Sequence, residues 1–184
     1  MKFIKTEIPE VMIIETTVFG DARGYFLESF NKETFEENIG GVHFVQDNES
    51  KSSKGVLRGL HFQKPPFAQA KLVRCIEGSV LDVAVDIRKG SPTYGKHVTV
   101  KLSGENKRQL FVPRGFAHGF AVLSETAIFA YKVDNTYAPE YDAGIKYDDK
   151  ELNIDWCITE EEIQLSEKDK NLSFFKDLDS PFKF

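Results

Sequence analysis

The chain is short of cysteine, with only Cys75, inside an apolar run, and Cys157, beside Trp156. A disulfide-framed scaffold is therefore excluded; both read as buried thiols in a reducing compartment, and the cytoplasm is the expected location. Long hydrophobic runs are also missing. The stretch MKFIKTEIPEVMII is interrupted by Glu7, Pro9 and Glu10, so it lacks a signal-peptide core, and no later run approaches membrane-spanning length. There is no surplus of positive charge either. The net charge of -5 gives no blanket attraction for nucleic acid or anionic lipid, and neither is an expected partner. An anionic ligand would need a local basic cluster. Internal repeats, low-complexity segments and linkers are absent too.

What is present is apolar material in short runs. At 41% hydrophobic residues, 184 residues suffice for one core, and a single domain over 1–184 is expected. From Val11 to Val133, runs rich in Val, Ile, Phe and Thr are punctuated by Gly, Pro, Asn or Asp, which is an all-β pattern. The alternation predicts strands over 11–18, 25–30, 42–48, 56–63, 71–76, 80–87, 96–102, 108–112, 117–123 and 126–133. In 80–87, Leu81, Val83, Val85 and Ile87 form an apolar face opposed by Asp82, Ala84 and Asp86; Glu77-Gly78-Ser79 joins this strand to its predecessor as a hairpin. Helices are expected only over 32–38, with Asn31 as N-cap, and in the acidic stretch 159–163. So many strands with so few helices favour a closed or double-sheet barrel such as a jelly roll. From about 137 onward the pattern weakens, yet Trp156, Phe174 and Phe175 need burial, so this part is expected to wrap the barrel.

Polar residues inside strand-like apolar runs carry the chemistry, because burying them costs free energy unless they are paired or used. His61 lies in VLRGLHFQ, whose Gly59 predicts close backbone approach or a bend. From that segment alone it reads as a satisfied core histidine. Lys71, Arg74, Asp82, Asp86 and Tyr131 interrupt neighbouring runs, and a small barrel could gather them at its mouth; singly, Lys71 reads as a solvated strand end and Tyr131 as a packed tyrosine. Arg23 sits in a turn framed by Gly20 and Gly24, and Phe26 and Glu28 follow on one parity. Gln46, Asp47 and Asn48 close another run. His118, between two glycine-phenylalanine pairs, is open between ligand contact and loop residue; His43 and His97 stand at strand starts without an evident partner.

The blocks FGDARGYFLESFN, FVQDNESKS, VLRGLHFQ, KLVRCIEGSVLDVAVDIRKGSPTYG, ENKRQLFVPRGFAHGFAVLSE and LSEKD, in this order from near the N-terminus to Asp169, closely resemble the dTDP-4-dehydrorhamnose 3,5-epimerase family. The resemblance implies a cupin-like jelly roll, a homodimer, a dTDP-sugar substrate, and neither metal nor cofactor. It implies His61 as base, Tyr131 as acid, Asp169 behind His61, and Lys71 stabilising an enolate oxygen. Arg23, Phe26, Glu28, Gln46, Asn48, Arg58, His118 and Lys168 would contact the sugar nucleotide and Tyr137 would stack on the thymine. Asp142, also placed at the substrate, falls where the family more often has glutamate.

The implied activity is epimerisation at C3 and C5 of dTDP-4-dehydro-6-deoxy-D-glucose to dTDP-4-dehydro-L-rhamnose. Its rivals are a C3-only epimerase or a 3,4-ketoisomerase on a related sugar, a binding module without turnover, and a metal-dependent cupin enzyme. The last would need two or three histidines and a carboxylate at one ion, whereas His61 is followed by Phe62 and Gln63 and the His-x-His pair is missing.

Overall fold

The computed structural model describes residues 1–184. Its strands are β1 (Lys2–Lys5), β2 (Met12–Glu15), β3 (Val18–Asp21), β4 (Gly24–Leu27), β5 (Gln46–Ser53), β6 (Leu57–Gln63), β7 (Lys71–Glu77), β8 (Ser79–Asp86), β9 (His97–Ser103), β10 (Gln109–Val112), β11 (Phe116–Val122), β12 (Thr126–Val133) and β13 (Asp142–Gly144). Two helices, α1 (Lys32–Ile39) and α2 (Glu167–Lys170), and three short 3-10 turns complete it. The first sheet runs β1-β2-β10-β7-β12-β5 and the second β13-β6-β11-β8-β9; β3 and β4 form a separate hairpin. All pairings are antiparallel, and the sheets close over a common core as an all-β jelly roll.

Three apolar clusters hold this arrangement. Between the sheets lie Val73, Val80, Ala84, Val100, Leu110, Phe120, Val122 and Phe129 with their neighbours. The outer face of the second sheet carries Leu57, Leu60, Phe62, Leu81, Val83 and Val85, covered by Ile145, Leu152, Trp156 and Phe175 of the C-terminal belt. A third cluster packs α1, through Phe35, on Ile14, Leu72 and Phe111 of the first sheet.

Because the belt covers the second sheet, β8 is buried on both faces. The face bearing Asp82 and Asp86, read from sequence only as polar, is fully inside the protein. Asp86 survives there because Arg88, Ser91 and Thr93 surround it with donors at 2.6 to 2.9 Å.

Several boundaries differ from the sequence pattern. The expected strand 11–18 is split between β2 and β3, and β1 goes unpredicted. The strand placed at 42–48 instead runs 46–53, through QDNESKSS, where no apolar alternation marks it. Asn31 does cap α1, its Oδ1 accepting the N–H of Thr34 at 3.1 Å, whereas the acidic stretch near 159 contains only a 3-10 turn, Glu160–Glu162. Cys157 is exposed, not buried: it sits at φ 56° in the turn after Trp156, where the indole takes the interior position. Phe174 is likewise exposed, with Lys146 lying over its ring. No helix is long and apolar enough to cross a membrane.

Candidate active site

A strand shows alternate residues to one face, so Arg58 and His61, three apart on β6, should point in opposite directions. Both nevertheless line one cavity of about 550 Å³ between the sheets. The pairing of β6 with β11 shifts register between His118 and Phe120, opposite Gly59. Leu57 before the irregularity and Leu60 and Phe62 after it then all face outward, while Arg58 and His61 face inward. Glycine is required here: Gly59 has φ 124°, and a Cβ on it would lie 2.5 Å from the Cα of Gly119.

His61 has a carboxylate behind it. Its Nε2–H donates to Oδ1 of Asp169 at 2.5 Å, which leaves Nδ1 as the basic nitrogen. Oδ2 of Asp169 accepts the hydroxyl of Ser166 at 2.6 Å. Burial opposes ionisation of Asp169, but hydrogen bonds from His61 and Ser166, the imidazole charge and the amide of Gly59 outweigh it and hold the carboxyl below its ordinary value.

Tyr131 of β12 and Lys71 of β7 enter the same cavity from the opposite sheet. Burial raises the phenol of Tyr131, with Asp142 and Tyr137 adding to the rise against the opposing charge of Arg58, so it keeps its proton at neutral pH. Burial likewise brings the ammonium of Lys71 down to about 8, against the pull of Asp142 and Asp82 and helped by Lys168. A second histidine–carboxylate pair lies deeper: Nε2–H of His118 donates to both oxygens of Asp82 at 3.0 Å. Both are buried, and burial pushes Asp82 up and His118 down, each shift opposed by the charge of its partner.

A recess of about 300 Å³ adjoins this cavity, sharing His61, Lys71 and Tyr131 with it and adding Gln46, Asn48, Tyr137 and Asp142. Gln46 donates to Asn48 at 2.8 Å. Buried Gln63 holds the loop that presents Tyr137, donating to the carbonyls of Phe67 and Thr136 and accepting the N–H of Ala138 at 2.7 Å. The Tyr137 hydroxyl donates to Oδ2 of Asp142 at 3.2 Å, and Lys168 pairs with the same oxygen.

The fold thus brings together eleven of the residues singled out in the sequence. His61, Lys71, Tyr131, Asp169, Arg58, His118 and Lys168 line the main cavity, and Gln46, Asn48, Tyr137 and Asp142 the recess. Arg23, Phe26 and Glu28 do not join them. Arg23 pairs with Asp21 at the tip of the β3–β4 hairpin, Phe26 is 69% exposed on β4, and Glu28 accepts from Asn31. Asp82, singled out in the sequence, proves to be the partner of His118; sequence reading missed two supporting residues, Ser166 and Ser52, whose Oγ accepts Nε–H and Nη2–H of Arg58 at 3.3 and 3.2 Å. Ser166 could have been found from its N-cap spacing to Asp169. No three His, Cys, Asp or Glu side chains gather closely enough to hold a metal ion.

Comparison with known proteins matches this geometry to one family. The profile described as dTDP-4-dehydrorhamnose 3,5-epimerase matches residues 5–177. The chain is 59% identical over 180 residues to the dTDP-4-dehydrorhamnose 3,5-epimerase of Shigella flexneri, covering 97% of this chain and 98% of that protein. Among solved structures, the dTDP-4-dehydrorhamnose 3,5-epimerase of Elizabethkingia anophelis NUHP1 superposes with a TM-score of 0.92 at 59% identity, over 96% of this chain and 97% of that one. The dTDP-6-deoxy-D-glucose-3,5-epimerase of Legionella pneumophila Philadelphia 1, in complex with dTDP-4-keto-L-rhamnose, superposes with a TM-score of 0.96 at 50% identity, over 100% and 98%. On the family match, the identity and the shared fold, the chain belongs to the dTDP-4-dehydrorhamnose 3,5-epimerase family.

Proposed function

We propose that the chain inverts C3 and C5 of dTDP-4-dehydro-6-deoxy-D-glucose, giving dTDP-4-dehydro-L-rhamnose in dTDP-rhamnose biosynthesis, with His61 as base and Tyr131 as acid. One observation carries the reading: His61, backed by Asp169, and Tyr131 stand on opposing sheets with one cavity between them. The C4 ketone acidifies the hydrogens on both neighbouring carbons. His61 takes a proton from one face of the ring, and the electron pair moves onto the C4 oxygen as an enolate. Protonation of the same carbon from the opposite face by Tyr131 inverts it, since return from the original face would restore the starting configuration. Between inversions the imidazolium loses its proton to solvent and the tyrosinate regains one.

Lys71 neutralises the enolate oxygen, and a preorganised cation in a closed cavity is worth more there than in water. Arg58 and Lys168 supply donors for the sugar diphosphate, which lets a chain of net charge -5 take an anionic substrate, and His118 contacts the sugar nucleotide from the cavity wall. Gln46, Asn48, Asp142 and Tyr137 border the recess and take the nucleoside, with Tyr137 stacking on the thymine. The working form is a homodimer in which the exposed hairpin brings Arg23, Phe26 and Glu28 to the cavity of a second copy. The unpaired Cys75 and Cys157 fit a reducing compartment, and the cytoplasm is where the enzyme works.

NMR of the protein with this substrate in D2O tests the reading. Deuterium is expected at both C3 and C5, and His61→Asn should abolish exchange while substrate still binds. Deuterium at C3 alone would make the chain a monoepimerase; full exchange with His61→Asn would remove His61 as the base.

A further inference from the structure

The carboxylate behind His61 does not belong to the barrel. It sits on α2, four residues long in the C-terminal belt, and so short a helix has little stability of its own. The belt is tied down on either side of it. Before α2, Leu57 N–H donates to Gln164 O at 3.0 Å and Gln164 N–H to Gly55 O at 2.9 Å; after it, Lys146 N–H donates to Ser173 O at 2.9 Å. These bonds place the backbone but leave the side chain of Asp169 free to turn. Beside the imidazole of His61 and the amide of Gly59, one neighbouring hydroxyl restrains it: Ser166 Oγ donates to Oδ2 of Asp169 at 2.6 Å and accepts the N–H of the same residue at 3.1 Å. The two carboxylate oxygens are thereby divided, Oδ1 to His61 and Oδ2 to Ser166.

We propose that Ser166 is a positioning residue for the epimerisation, locking Asp169 so that Oδ1 meets His61 Nε2 and drawing charge onto Oδ2. The proposal rests on the reading of His61 as the base. A serine that only caps α2 would use its oxygen as an acceptor, whereas this role needs the hydroxyl proton as well. Around the dyad stand Arg58 of β6, Lys71 of β7, His118 of β11 with Asp82 of β8 behind it, Tyr131 of β12, Asp142 of β13 and Lys168 of α2. They are the same in every variant below, so differences between variants report Ser166.

The test compares three substitutions with His61→Asn as reference. Ser166→Ala should lower kcat about ten- to a hundred-fold, the range for losing a hydrogen bond to a charged group, with KM little changed. Less dispersed charge on Asp169 holds the imidazolium more firmly, so the acidic limb of the kcat/KM profile should move to higher pH. Ser166→Thr, which keeps the hydroxyl, should recover most of the loss. Ser166→Asp caps a helix well but has no proton to give and adds negative charge; it should stay as slow as Ser166→Ala, with its acidic limb at still higher pH. Melting and substrate-binding measurements confirm that each variant is folded. A Ser166→Ala enzyme within two-fold of the parent, or full recovery by Ser166→Asp, would reduce Ser166 to a cap. Turnover surviving in His61→Asn would sink the reading of the base instead, so the two failures are separable.

Discussion

On the proposed mechanism, Lys71 is the side chain whose charge state most directly decides turnover. Its ammonium is brought down to about 8 by burial, so the cation required beside an enolate is lost as pH rises through that value. The basic limb of kcat/KM should therefore fall near pH 8, and Lys71→Arg, which stays charged, should lose that limb. Lys71→Met should cost about a hundred-fold in kcat, the scale of one missing donor at a developing oxyanion. The sign for stability is opposite to that for activity. An unfolded lysine titrates near 10.4, so between about 8 and about 10.4 the unfolded chain binds more protons and the cost of burying the charge is relieved as pH rises. Lys71→Met should accordingly be more stable than the parent at pH 7, with the gap closing by pH 10 in paired thermal melts.

At the level of strands and turns, the pattern was informative wherever one face met the core. It located β7, β8, β11 and β12 within a residue or so, the turn at Glu77-Gly78-Ser79, and the cap of α1. It failed on β5, whose polar sequence is held in the sheet by pairing with β12 rather than by apolar burial, and on α2 and β13, which are too short to show a period. The site suffered most from strict alternation, since only the register shift at Gly59 turns both Arg58 and His61 inward. Gly59→Ala tests this. A Cβ at φ 124°, set against the backbone of Gly119, should cost about 2 kcal/mol or more and remove activity even where the fold persists. Denaturant unfolding and turnover together would show it; a fully active, equally stable variant would mean that the bulge is unnecessary.

Across the whole molecule, the β3–β4 hairpin gathers four exposed apolar side chains, Val18, Phe19, Tyr25 and Phe26, on one short element, with Phe19 62% exposed. If the proposed homodimer covers them, a symmetric pair counts each substitution twice. Phe19→Asp should thus weaken association by about 3–6 kcal/mol, taking about 1.5–3 kcal/mol for each buried aromatic. Sedimentation should find monomers at micromolar concentration and turnover should drop with them; an unchanged dimer would place the interface elsewhere. The jelly roll and the side chains that line the cavity were legible in the sequence, but the separation of Arg23, Phe26 and Glu28 from the cavity was not, because strand alternation carries no information about where a hairpin points. The His61–Asp169 dyad also has a bearing on time. Its halves are 108 residues apart in the chain, and the carboxylate follows every strand of the barrel. A ribosome delivers His61, Lys71 and Tyr131 before Asp169, so the imidazole waits for its carboxylate until the belt segment has been made. The pair is thus completed only when that belt segment docks against β6.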